Sequence, residues 1–141
     1  MAKVYVIGSL RKKTVRELAN TLRDAGHDAF DQWHAAGENA DQEWRDYFQE
    51  LGVRYADAVE SPFVKHIVEF DERWLSWADV VVACGAPGVS AAYELMWAGK
   101  EGKQTIIYLH DDPERWDAMV LLLPEPQFAM SADEILALIE G

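Results

Sequence analysis

The chain has 141 residues, half of them hydrophobic and 27% charged, with a formal net charge of −12 and one cysteine. That length and balance suit a single domain, residues 1–141, able to bury its own core. The acidity argues against a nucleic-acid polymer as partner, since phosphate contacts need clustered Lys and Arg, and the lone Cys84 excludes an internal disulfide and most cysteine-based metal sites.

Lys3 to Gly8 is an apolar run ending in glycine and reads as a buried strand. It is too short for a signal peptide, and no stretch reaches the roughly 18 apolar residues of a membrane helix, so no membrane partner and a cytoplasmic location are expected. Ser9 to Lys13 forms a loop holding the one dense basic cluster, Arg11-Lys12-Lys13, enough for one small anion. A helix follows from about Thr14 to Ala25, with Val15, Leu18, Ala19 and Leu22 at helical spacing and Gly26 ending it. His27 to Phe30 reads as a second strand leading to Asp31 and Trp33.

Residues 34–62 are rich in charge and aromatics and predict one or two helices outside the strand–helix alternation. Ser61-Pro62 then has the form of an N-cap followed by proline at the first helical position. The helix from Pro62 to about Trp77 carries a stripe at Val64, Val68, Asp71 and Leu75, with an acid where an apolar residue is expected. Ala78 to Cys84 is a very apolar strand, a helix runs from about Gly88 to Gly99, and Gln104 to Leu109 makes a fourth strand. Asp112-Pro113 predicts a short helix through Trp116 and Met119, a short strand is expected near Phe128, and Ser131 to Glu134 is a capping box opening the last helix. This alternation gives a parallel sheet covered on both faces.

In open α/β sheets ligands bind beyond the carboxyl ends of the strands, which puts Glu94 over the crevice and brings Asp71 to it from the preceding helix. Two carboxylates at one mouth suit chemistry on a glycosidic bond, one as nucleophile and one as general acid. Among Val68, Trp74 and Leu75, Asp71 is expected to be desolvated and to hold a proton near neutral pH, unless it sits on a solvated face like Glu69 and Glu72. Glu94, near a helix start, is expected to stay ionised, unless it is a plain surface glutamate. Gly8, Ser9 and Arg11 form a turn able to bind an anion, and Trp33 with Asp31 suits stacking on a base and binding a hydroxyl, or else an edge position in the core. The six tryptophans exceed what a core requires and suit flat ligands or subunit contacts. The four histidines are scattered without metal-ligand spacing, and neither metal nor cofactor is expected.

Together these residues resemble the nucleoside 2-deoxyribosyltransferase family and its 2′-deoxynucleoside 5′-monophosphate N-hydrolase relatives. The resemblance lies in Tyr5 to Arg11, in Phe70 to Leu75 followed by Ala78 to Val82, and in Gly88 to Gly99 around Tyr93-Glu94-Leu95. It implies a single-domain α/β fold, a doubly wound flavodoxin-like or Rossmann-like parallel sheet of about five strands. It also implies a double displacement: Glu94 attacks the anomeric carbon of a deoxynucleoside, Asp71 protonates the leaving base, and Tyr5 orients Glu94. The sugar then passes to another free nucleobase, or to water in the hydrolases. Site completion across subunits of a homo-oligomer is a further implication, with Asp117 and Met119 supplied in trans.

Two departures stand out. Gly88 and Ala91 replace acids that many transferases carry, and Ser90 is the serine nearest to Gly88, where the hydrolases bind phosphate. A non-catalytic nucleotide-binding module is the main competing class. A flavodoxin-like or receiver-like signalling domain ranks lower, because the first loop is basic and no acidic cluster follows the first strand, and an NAD-cleaving enzyme is also ranked low.

Overall fold

The computed structural model describes residues 1–9 and 12–141. Among them are five strands and six α-helices, in the order β1 (Lys3–Gly8), α1 (Thr14–Asp24), β2 (Asp28–Phe30), α2 (Ala40–Glu50), α3 (Tyr55–Ala58), α4 (Pro62–Trp77), β3 (Val80–Cys84), α5 (Val89–Lys100), β4 (Gln104–Tyr108), β5 (Gln127–Ala129) and α6 (Ala132–Glu140). All strand pairs are parallel, in the order β2-β1-β3-β4-β5. That is the flavodoxin-like doubly wound order, whose switch point lies between β1 and β3.

The period of two along each strand divides the core into two layers. Val4, Val6, Val80, Val82 and Ile106 meet Val15, Leu18, Ala19 and Leu22 of α1 and Ile135 of α6 on one face. Tyr5, Ile7, Val81, Ala83 and Ile107 meet Leu75 of α4 and Leu95 and Ala98 of α5 on the other. β3 is buried at all five positions, as a central strand covered on both sides must be.

Several boundaries follow from single hydrogen bonds. Gly26 takes a φ of +91° just past α1, where a side chain is strained. β2 starts at Asp28, one residue later than its pattern predicts. His27 is instead buried beside it, with Nδ1 accepting from the Ala2 N–H at 3.0 Å and Nε2 lying 3.0 Å from Glu140 Oε1. Asp79 accepts from the Lys3 N–H, so β3 begins after it, at Val80. Ser61 Oγ accepts from the Val64 N–H and Pro62 opens α4, as expected. Ser131 Oγ caps the Glu134 N–H, but Glu134 returns its bond to the Met130 N–H, so the expected capping box closes one residue early.

Two expectations fail. The helix predicted from Asp112 through Met119 is absent, and its place is taken by turns and a 3₁₀ helix at Ala118–Leu122, capped by Asp117 Oδ1 on the Met119 N–H at 2.9 Å. A helix needs an apolar face to bury, whereas Trp116 is 81% and Met119 63% exposed. On α4 the inward position is Ile67 rather than Val68, which is exposed. The segment 34–62 does supply two helices, α2 and α3, after a 3₁₀ turn at Gln32–Ala36, and no residue of α2 is buried.

Candidate active site

The crevice opens where β1 and β3 part, and Tyr5, Trp33, Asp71 and Glu94 meet there with Asp41, Ile67 and Ser90 on its walls. Tyr5 arrives from β1, on the face covered by α4 and α5, with its ring stacked 5.3 Å from that of Phe30. Its hydroxyl donates to Asp71 Oδ1. The same oxygen accepts from Trp33 Nε1 at 2.8 Å, and Phe70 packs edge-on against the Trp33 ring at 5.5 Å. Two neutral donors on one carboxylate oxygen hold Asp71 in a fixed pose.

Glu94 comes in from α5, and its Oε2 is buried and accepts no hydrogen bond among the described residues. Burial pushes its carboxyl up to about 8, the negative charge of Asp71 adds to this, and the Tyr5 hydroxyl acts in the opposite sense. Tyr5 itself is raised, first by burial and then by the charges of Glu94 and Asp71, so it stays a neutral donor at any working pH. The upward shift expected of the acid thus falls on Glu94, the residue expected to be ionised. Depth explains the reversal: the Glu94 tip lies inside the crevice wall, where dipole stabilisation near a helix start does not offset lost hydration. Near neutral pH Glu94 is therefore held largely protonated beside Asp71.

Two further clefts join this one. A polar cleft at the strand ends is lined by Gly8, Ser9, Lys12, Arg45, Cys84 and the turn from Gly85 to Ser90. The first turn of α5 faces it, and its N-cap residue Gly88 supplies no side-chain cap. A more apolar cleft of about 470 Å³ lies between α2, α4 and α5, with Trp44, Tyr55, Val68, Tyr93 and Trp97 along it and Asp71 and Glu94 in its wall.

The expected site residues divide accordingly. Tyr5, Gly8, Trp33, Asp71, Ser90 and Glu94 share the crevice, and Ser9 and Gly88 line the adjoining polar cleft. Arg11 lies outside the described residues. Tyr5 donates to Asp71 and also acts on Glu94, the residue it was expected to orient, by favouring its ionised form. Gly8 is required by packing: a Cβ there would stand 2.7 Å from Val15 Cγ2. Gly88 has no such neighbour. Asp31 lines neither the crevice nor the polar cleft among the described residues, and its carboxylate is paired with Arg23 at 2.5 Å beside β2. Asp117 and Met119 lie beyond α5, in a different groove from their own chain's carboxylate pair. Burial pushes the Cys84 thiol up to about 12, as suits an inert core residue.

Sequence reasoning missed Lys12 and Asp41. Lys12 sits in the basic run that was singled out, and its Nζ lies 3.6 Å from where a Cβ on Gly85 would be, next to that residue's φ of +88°. Asp41 borders all three clefts, yet nothing in the pattern of residues 34–62 distinguishes it from the other acids there.

The fold and crevice define an α/β protein with a carboxylate pair at the switch point of a doubly wound sheet. No protein-family model matches the sequence, and no curated protein matches it. Solved structures do. A CMP N-glycosidase, BcmB, from Clostridium botulinum superposes with a TM-score of 0.60 at 13% identity, over 99% of each chain. A 2-deoxyribosyltransferase from Bacillus psychrosaccharolyticus superposes with a TM-score of 0.56 at 17% identity, over 95% of this chain and 90% of that one. This chain has their fold, end to end.

Among the described residues no group of three or more His, Cys, Asp or Glu is arranged to hold a metal ion, and no helix is long and apolar enough to cross a membrane.

Proposed function

We propose that this protein cleaves the N-glycosidic bond of a deoxynucleoside and passes the sugar to another base. The observation that carries the reading is the carboxylate pair: Asp71 held by Tyr5 and Trp33, beside a buried Glu94 oxygen with no hydrogen-bond partner. Binding alone does not call for such a pair, and two solved structures with this fold are named as a CMP N-glycosidase and a 2-deoxyribosyltransferase.

The reaction needs Glu94 as carboxylate and Asp71 as acid. Both forms belong to the pair when it holds a single proton, and movement of that proton to Asp71 leaves Glu94 free to attack C1′. The C1′–N bond breaks, its electron pair goes to the base nitrogen, and Asp71 supplies the proton there. A second base then attacks C1′ of the glycosyl ester, loses its N–H proton to Asp71 and releases Glu94. Asp117 and Met119, exposed and away from their own crevice, serve the site of a second copy of the chain.

One observation favours a second reading, hydrolysis of a 5′-monophosphate. Lys12, Ser9 and the first turn of α5 converge on the polar cleft beside the pair, where a phosphate would meet an ammonium and open backbone N–H groups. Chromatography of reactions with deoxynucleosides and their 5′-monophosphates, each with and without a second base, decides between them. Transfer requires a new deoxynucleoside that forms only with the second base. Base released from monophosphates alone would replace transfer with hydrolysis, and no product from any substrate would contradict both.

A further inference from the structure

The apolar cleft beside the carboxylate pair has the size and lining for the base, and its charged groups are one-sided, while the hydroxyls of Tyr55, Ser90 and Tyr93 can donate or accept. Its charged groups are all carboxylates: Asp71 and Glu94 of the pair, Asp41 from α2 and Glu72 from α4. No Lys, Arg or His lines it among the described residues, and the groups that can only donate are the indole N–H of Trp44 and of Trp97. Neither Asp41 nor Glu72 has a side-chain hydrogen bond or ion pair among the described residues, so both are available to a ligand. A carboxylate accepts from an amino group but repels a carbonyl oxygen in the same place.

We infer that the site selects amino-substituted bases, cytosine and adenine, over their oxo counterparts uracil and hypoxanthine, and that Asp41 and Glu72 read the amino group. The inference rests on the N-glycosidic reading above and names the substrate class of that same site. Within each pair the two bases have the same shape, so size cannot account for a preference.

The test compares kcat/KM for deoxycytidine against deoxyuridine and for deoxyadenosine against deoxyinosine, in wild type and in the double variant Asp41→Asn, Glu72→Gln. Dividing the variant's amino-to-oxo ratio by that of wild type cancels the intrinsic leaving ability of each base. The ratio is expected to fall about tenfold in both pairs, since amides offer N–H donors to a carbonyl. A ratio unchanged within about twofold, or an equal loss on all four substrates, overturns the assignment of Asp41 and Glu72. Calorimetric titration of wild type with the four free bases supplies a readout independent of turnover. Adenine and cytosine are expected to bind more tightly, and tighter binding of uracil and hypoxanthine overturns the inference. Absence of base release from all four substrates, with the binding preference intact, contradicts the catalytic reading and leaves the base preference standing.

Discussion

Burial and the charge of Asp71 both oppose the ionised form of Glu94. Its folded-state value of about 8 lies above the ordinary 4.5, so between those limits the folded protein holds a proton that the unfolded chain has released. Stability is therefore highest, as far as Glu94 is concerned, below about pH 4.5, and it declines as pH rises to about 8. Glu94→Gln removes this dependence. Urea denaturation should find the variant gaining on wild type by on the order of 4 kcal/mol between pH 5 and pH 8.5, and parallel curves would contradict the assignment. Base release should fall above about pH 8 as the pair loses the proton that the leaving group needs. Asp71→Asn keeps an acceptor for Tyr5 and Trp33 but removes the acid. Its rate loss, about 100-fold or more, should be largest for the poorest leaving bases, and an equal loss across bases would argue against the acid role.

The elements meet at close quarters where the sheet turns into the crevice. Gly8 ends β1 so near Val15 of α1 that Gly8→Ala should destabilise the fold by about 1–3 kcal/mol, seen as a lower thermal midpoint. An unchanged midpoint would mean that α1 yields easily. Strands and helices packed on both sides were legible in the sequence, because burial writes a period of 2 or 3.6 directly into residue type: β1, β3 and α1 are examples. The stretch from Asp112 to Met119 was not, because apolar residues such as Trp116 look the same whether they fill a core or stand exposed. Glu94 and Asp71 were legible as a pair from their places on helices flanking β3. Their protonation was not, since it depends on how deep each side chain ends, and one residue of register on α4 exchanges Ile67 for Val68. Asp41 was hidden because α2 buries nothing and so leaves no periodic signature.

At the scale of the whole molecule, the order β2-β1-β3-β4-β5 creates one switch point, and the polar cleft, the carboxylate pair and the aromatic cleft adjoin there. On the proposed function, a nucleoside laid across them would have its base between α2, α4 and α5, its anomeric carbon at Glu94 and its 5′ end toward Lys12. A chain 13–17% identical to two solved structures shares their fold, and the sheet order sets where its crevice opens. The covalent step is the central claim, and mass spectrometry of acid-quenched protein tests it most directly after brief mixing with a deoxynucleoside that it turns over. A deoxyribosyl adduct on the peptide containing Glu94, lost on adding a second base and absent in Glu94→Ala, is the predicted result. Continued base release by Glu94→Ala, or an adduct on another residue, would contradict it.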